Sequence, residues 1–408
     1  MLHEHHLPLV ARIGTQAVAH PRALFVGSFP PRQCGIATFT EDVREAYDRL
    51  TGHTSDVIAV NESGVGYRYP SFVTGTIDGD DLSSYSVAAS IANDGDADVV
   101  NIQHEYGLFG GAQGAHLIEF LRAVHRPIVL TLHTTLPDPD VTTLAVTRDL
   151  CRRADRVMVL TQTARSILQT RYGVAADKIC VVMHGVPDVA PYHGHYYKQQ
   201  FDLADHAVIS TFGLLSRGKG IETIIEALPA VAEKNPRACY VLWGETHPSI
   251  RRREGEQYRE SLARRADQLG VADKVQFVDR YMSDDEVVAA LLATDVYVSP
   301  SLDPHQAVSG TLSYAVACGR AVIATRYQYA NELLADGRGI TVPFRDHSAL
   351  AQAVTVVLDN PSLRRSLENA AYKFGRSMTW PKIALGYRSA FCHSLLAGLG
   401  IAVGRRGA

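Results

Sequence analysis

The sequence predicts an α/β protein built from two Rossmann-like, doubly wound parallel-sheet domains that face each other across an interdomain cleft. Three observations carry that expectation. Short β-rich apolar runs alternate with longer amphipathic stretches through most of the chain. A strand–glycine loop–helix unit occurs twice, as LFVGSFPPRQCGIATFTEDV (24–43) and VISTFGLLSRGKGIETIIEAL (208–228). Between the two series, HGVPDVAPYHGHYYKQQFDLADH (184–206) is rich in His, Tyr, Gly and Pro and has no clear periodicity. The domains are therefore expected at 1–189 and 207–380, joined by a linker over 190–206.

Taken in order, the first series of strands reads ALFVGSF (23–29), ADVVNIQH (97–104), PIVLTLH (127–133), RVMVLT (156–161) and KICVVM (178–183). The second reads HAVISTFG (206–213), ACYVLWG (238–244), KVQFVD (274–279), DVYVSP (295–300), AVIAT (321–325) and GITVPF (339–344). Several are apolar almost throughout, as strands covered by helices on both faces must be. After Gly35, the residues Ile36, Phe39, Val43, Tyr47 and Leu50 share one helical face. Ile221, Ile224, Ile225, Leu228 and Val231 do so after Gly220. Ser283-Asp-Asp-Glu286 is a capping box that opens a helix carrying Val287, Val288 and Leu291.

Composition removes several function classes. The chain has 408 residues, 46% hydrophobic and 20% charged, which excludes a disordered or fibrous protein. A net charge of −3 and a pI near 6.6 argue against a global grip on nucleic acid. The six cysteines are scattered singly, so neither a zinc knuckle nor a disulfide framework is expected. The first twenty residues lack the apolar core of a signal peptide, and no apolar run nears the ~18 residues that span a bilayer. A cytoplasmic protein with at most peripheral membrane contact is the expectation.

In open α/β sheets ligands bind beyond the carboxyl ends of the strands, so candidate residues are sought there. Gly35 opens a helix after the first strand and would let a phosphate or sugar approach; a simple tight turn is the alternative. His104 and His133 each end a strand, and Glu105 beside His104 could bind a hydroxyl or orient an imidazole. Structural histidines and a solvated carboxylate are the plain alternatives. Arg217 and Lys219 in LLSRGKG (214–220) place two cations beside a helix N-terminus, which suits a diphosphate gaining charge as a bond breaks. Ser309-Gly310-Thr311 starts an apolar helix after the strand ending at Pro300, a second anion site unless it is only a turn.

No metal site is expected. Asp78, Asp80 and Asp81, and separately Asp138 and Asp140, read as solvated turns. HEHH (3–6) reads as a terminal run, and Arg251, Arg252 and Arg253 as a solvated basic run, with a membrane or polyanion contact as its alternative.

With these residues in place, the chain resembles a retaining glycosyltransferase of the GT-B fold, in glycosyltransferase family 4. The resemblance rests on the Gly35 loop, TLH ending at His133, MHGVP (183–187), the Lys219-Gly220 loop, SGTLSYAVACGRAVIAT (309–325) and NELLADGRG (331–339). TWPKIALGYRSAF (379–391) resembles the helix that crosses back to the first domain in this family, expected over 381–408. The family implies transfer of a sugar from a nucleotide-diphosphate donor, with configuration retained. The second domain would hold the nucleotide and the first the acceptor, with His104 and Glu105 on the acceptor side. Lys219 would contact the diphosphate, amides of Ser309, Gly310 and Thr311 would assist, and His133 would sit beside the donor sugar. Glu332 occupies a familiar acidic position, and the loop around Tyr281 would meet the base.

The chain departs from the family at three positions. Gln306 and Tyr314 stand where two glutamates are usual, and Leu214 where an arginine is, so Arg217 would have to reach the phosphate. PPRQCGIATFT with QAVSGTLSYA resembles a branch associated with mannose-containing glycans, which points to GDP-mannose and an oligosaccharide or glycolipid acceptor. UDP- or ADP-glucose as donor, a catalytically silent nucleotide-sugar-binding protein, and an epimerase or phosphorylase are the competing readings. No tightly bound cofactor is expected, and stimulation by Mg2+ is left open.

Overall fold

The computed structural model describes residues 20–190 and 195–398. The HEHH run, residues 191–194 of the expected linker and residues 399–408 of the expected C-terminal helix lie outside the described residues. The described residues divide into two compact units: those through Gly185 together with those from Trp380 onward, and those between Val186 and Thr379.

In the first unit the strands are β1 (Ala23–Gly27), β2 (Asp56–Asn61), β3 (Val73–Asp78), β4 (Val99–His104), β5 (Ile128–Leu132), β6 (Arg156–Val159) and β7 (Ile179–Val181). Its helices are α1 (Gly35–Thr51), α2 (Leu82–Asp94), α3 (Leu117–Ala123), α4 (Val141–Arg153) and α5 (Gln162–Thr170). All strand pairs are parallel, in the order β3-β2-β1-β4-β5-β6-β7. The order reverses between β1 and β4, the switch point where a doubly wound sheet opens a crevice at its carboxyl edge. β1, β4 and β5 are buried along their whole length, as their continuous apolar runs require. Helix α1 turns Phe39, Val43 and Tyr47 inward, three of the five residues expected on that face.

The second unit contains α6 (His195–Gln200), β8 (Ala207–Phe212), α7 (Ile221–Lys234), β9 (Ala238–Trp243), α8 (Pro248–Glu254), α9 (Gln257–Gln268), β10 (Val275–Val278) and α10 (Asp284–Leu292). It continues through β11 (Val296–Ser299), α11 (Gly310–Ala317), β12 (Ala321–Thr325), α12 (Gln328–Leu333), β13 (Ile340–Val342), α13 (His347–Asp359) and α14 (Pro361–Gly375). The parallel order is β10-β9-β8-β11-β12-β13, with its switch point between β8 and β11. Ile221, Ile224, Ile225, Leu228 and Val231 of α7 are all buried, although Pro229 sits inside the helix. The capping box at Ser283 and Glu286 forms on α10.

The structure adds β2 and β3 to the expected strands. It also orders part of the expected linker: α6 belongs to the second unit, where Lys198 pairs with Asp295 at 2.5 Å and Phe201 meets Trp243 edge-on. The last helix, α15 (Trp380–Gly398), belongs to the first unit, and its Phe391 packs edge-on against Tyr47 of α1 at 5.1 Å. Asp81 and Asp140 cap α2 and α4, and Asp78 accepts hydrogen bonds from Ser63 and the Asp80 amide. These aspartates do local backbone work, because a carboxylate is a good acceptor for the unpaired amides of a helix start or turn.

Candidate active site

In the second unit, β8 leads through Gly213 into a 3-10 turn at Arg217–Lys219 and on to α7. Gly213 has φ +126, and a Cβ built there would lie 3.3 Å from Thr311 Cγ2 and 3.6 Å from Lys219 Nζ. The Lys219 ammonium and the first turn of α11 therefore converge over one bare stretch of backbone. Gly220 closes the turn at φ +65, and a Cβ there would stand 2.2 Å from the Pro300 carbonyl oxygen. Only glycine lets the lysine loop and the loop after β11 come this close.

Lys219 is half-buried, and its ammonium has no carboxylate or hydrogen-bond partner among the described residues. Burial pushes its pKa down from the ordinary lysine value. Ser309 caps α11, accepting from the Leu312 amide at 3.3 Å, while Ser313 donates back to the Ser309 carbonyl at 2.9 Å. The amides of Gly310 and Thr311 have no acceptor four residues earlier, as at any helix start. Buried tyrosines brace the helix start: the Tyr329 hydroxyl lies 2.5 Å from Ser313 Oγ, and that of Tyr327 bonds Ser309 and lies 2.9 Å from Ser299 Oγ of β11. An unpaired cation beside free helix amides is an arrangement that binds an anion.

Other expected residues of this unit behave differently. Arg217, unlike Lys219, has partners of its own: its guanidinium lies 5.2 Å from the Tyr258 ring centroid and 3.5 Å from Glu254, with the side chain mostly exposed. Both ends of the Gln306 amide are used inside its loop, accepting from Ser301 at 2.6 Å and donating to the Val308 carbonyl at 3.1 Å. Tyr314 is buried on α11, and Tyr281 stands exposed between β10 and α10. Glu332 is half-buried on α12, near Tyr329, and its carbonyl accepts from Arg338. Arg251, exposed as expected of that basic run, also pairs with Glu256 at 2.7 Å, Glu245 at 3.0 Å and Asp279 at 3.4 Å.

In the first unit, the ends of β1, β4 and β5 gather Gly35, His104, Glu105 and His133 near the switch point. Gly35 begins α1 beneath a Cys34 cap, with open space where its side chain would be. The His133 amide donates to the His104 carbonyl at 3.1 Å, which locks the two strand ends together. The His133 ring meets Phe39 edge-on at 4.7 Å, and its Nε2 lies 2.8 Å from Gln103 Oε1. Burial, assisted by neighbouring His184 and His104, depresses its pKa to about 3, so the ring is neutral. Glu105 accepts from Thr134 Oγ1 at 2.7 Å and from the Tyr106 amide at 2.9 Å, and burial raises its pKa.

His104 corrects the expectation of an acceptor-binding imidazole. It is fully buried, stacked on Phe109 at 5.8 Å, with no hydrogen-bond partner for either ring nitrogen among the described residues. Desolvation alone depresses its pKa to about 4. The alternation of β4 turns its side chain into the core rather than to the sheet edge. Sequence reasoning missed Gly213, Gln103 and Asn101. TFG closing an apolar strand marks the first, and the polar pair two residues apart in VVNIQH marks the others. Among the described residues, no helix is long and apolar enough to cross a membrane, and no three acidic, histidine or cysteine side chains cluster to hold a metal.

Comparison with known proteins bears on the whole chain. The family Glycosyl transferases group 1 matches residues 197–374, and Glycosyltransferase Family 4 matches residues 34–190. A D-inositol 3-phosphate glycosyltransferase of Corynebacterium glutamicum is 26% identical over 280 residues, 63% of this chain and 64% of that one. The GDP-mannose-dependent alpha-(1-6)-phosphatidylinositol monomannoside mannosyltransferase of Mycolicibacterium smegmatis is 27% identical over 369 residues, 83% of this chain and 89% of that one. An uncharacterized glycosyltransferase of Methanocaldococcus jannaschii aligns at 25% identity across 44% of this chain, which spans only 43% of that relative's length. The crystal structure of Anabaena HepE in complex with UDP shares the fold at a TM-score of 0.73 and 18% identity, covering 91% of this chain and all of that one. Two parallel doubly wound sheets, each with a glycine loop at its switch point, and matches that together run from residue 34 to 374 lead to one assignment: the chain belongs to the group 1 glycosyltransferases of family 4, with the GT-B fold.

Proposed function

We propose that this protein transfers a hexosyl group from a nucleotide-diphosphate sugar to a hydroxyl of an oligosaccharide or glycolipid, forming an α-glycosidic bond with configuration retained. GDP-mannose is the favoured donor. One observation carries the reading: the unpaired Lys219 ammonium and Thr311, at the start of α11, converge over Gly213. The bond between the sugar's anomeric carbon and the diphosphate oxygen breaks, and Lys219 with the Gly310 and Thr311 amides takes up the charge that develops on the leaving group. The acceptor hydroxyl oxygen bonds to the same carbon on the same face, and its proton passes to the departing phosphate oxygen. Neutral His133 attends the sugar, and the Glu105 carboxyl is available to bind an acceptor hydroxyl.

The mannosyltransferase relative, matched over most of both chains, supports mannose. A glucose donor is the second reading, favoured by a 2-deoxystreptamine glucosyltransferase of Streptomyces kanamyceticus that is 28% identical over 247 residues. The test is a thermal-shift and turnover screen with GDP-mannose, UDP-glucose, UDP-GlcNAc and ADP-glucose, with Mg2+ or EDTA. A donor at about a hundred times its Kd adds ~2.7 kcal/mol of stability. GDP-mannose alone is expected to raise the melting temperature and to be consumed when a mannoside is present. Binding without transfer would favour the silent reading, and no response to any donor would reject a nucleotide-sugar enzyme.

A further inference from the structure

Behind His133 runs a chain of buried amides whose polarity is forced from one end. Asn101 Nδ2 lies 3.0 Å from the Val129 carbonyl oxygen. A backbone carbonyl only accepts, so that atom must be the amide nitrogen, and Asn101 Oδ1 must face the other way. Gln103 Nε2 donates to that oxygen at 2.6 Å, which turns Gln103 Oε1 toward His133 Nε2 at 2.8 Å. An acceptor there requires a proton on Nε2. We propose that Asn101 and Gln103 are positioning residues that hold His133 as the neutral Nε2–H tautomer, leaving Nδ1 as an acceptor for a hydroxyl of the donor sugar.

The setting supports this assignment. Asn101 and Gln103 are both fully buried, so an unpaired amide group at either would be costly. Their side chains share one face of β4 by the two-residue alternation of a strand. Thr131 of β5 accepts a second bond from Asn101 Nδ2 at 3.2 Å and lies 3.4 Å from the Tyr387 hydroxyl of α15. The Tyr387 hydroxyl also bonds Gln103, so the last helix pins the same relay. The groups facing the His133 ring are Phe39 of α1 and two further neutral imidazoles, His184 after β7 and His104 of β4. No carboxylate competes for its proton among the described residues. His184 itself bonds the Gly185 carbonyl through Nδ1 at 2.7 Å, so its proton is committed elsewhere.

The role toward a sugar rests on the proposed function, whereas the tautomer does not. The test is therefore read in two channels on the full chain. Protein labelled with 15N-histidine, with His133 assigned by His133→Asn, is expected to show a protonated Nε2 and a bare Nδ1 from about pH 5 to 8. Gln103→Met, which removes the acceptor, is expected to shift the proton toward Nδ1 and to lower kcat/KM for the donor about tenfold, the worth of one hydrogen bond. Gln103→Glu keeps the acceptor and is expected to restore the Nε2–H signature while raising the pKa of His133. A wild-type proton on Nδ1, or an unchanged signature in Gln103→Met, overturns the proposal. Should Gln103→Met fail to fold, the wild-type spectrum alone decides the tautomer. A tautomer as stated, in a protein that turns over no sugar donor, would uphold the relay and sink the glycosyl-transfer reading.

Discussion

Lys219→Met should separate the stability of the fold from the proposed binding of a diphosphate. The substitution keeps the length of the stem and removes the charge. In the free protein that charge is half-buried and unpartnered, and its pKa is held down by burial. A lysine whose folded pKa lies below its unfolded value carries a penalty that is fully present below the folded pKa and relieved only as pH rises through the interval above it. At neutral pH the methionine variant should therefore melt no lower than wild type. The ligand tells the opposite story. With an ammonium about 3 Å from a phosphate oxygen and an effective dielectric constant near 20, one charge pair is worth ~5.5 kcal/mol. Desolvation of the anion takes back part, leaving ~3 kcal/mol, the size of one oxyanion donor. Calorimetric titration with GDP and UDP should show the tighter ligand bound about a hundredfold more weakly by the variant, with turnover lowered by a similar factor. Unchanged affinity would remove Lys219 from the site.

Gly220→Ala should destabilise the second unit by ~2 kcal/mol or more in urea. The left-handed φ costs about 1–2 kcal/mol, and the new Cβ would stand 2.2 Å from the Pro300 carbonyl oxygen. Gly218→Ala, whose Cβ would meet only Ser216 Oγ at 3.9 Å, is the control and should change urea stability by less than ~0.5 kcal/mol. Ser309→Ala removes the cap of α11 and should cost ~1 kcal/mol in thermal or urea melts while weakening nucleoside diphosphate binding. Buried His104 and His133 and half-buried His184, with pKa values near 4, 3 and 4, should make the fold lose stability as pH falls below about 6.5. In that window the unfolded chain takes up protons that the folded chain refuses. His104→Phe should flatten the slope near pH 5 by one proton, ~1.4 kcal/mol per pH unit, and an unchanged slope would refute the assignment.

Much of the fold was readable because burial on both faces forces continuous apolar runs, and those runs in β1, β4, β5, β8, β9, β11 and β12 sit where the structure has strands. β3 escaped notice because it is half-exposed and interrupted by Gly75, so its apolar pattern is thin. α6 escaped because its anchors are distant residues: Asp295, 97 positions away from Lys198, and Trp243 beside Phe201.

By itself, the order of residues determined most of the buried strands and the helices that follow the glycine loops, and that the loops at 35 and 220 and the Ser309 cap lie after strands. Local propensity and period are properties of short windows, so a linear reading reaches them. Only tertiary structure decided what each side chain faces. It brought Lys219 to Thr311 over Gly213, paired Arg217 with Glu254, sealed His104 under Phe109, and lined up Asn101, Gln103, Thr131 and Tyr387 behind His133. These outcomes depend on sheet order and on contacts between residues up to 256 positions apart. No window of sequence holds both ends of such a contact, because the free energy that selects it belongs to the packed whole.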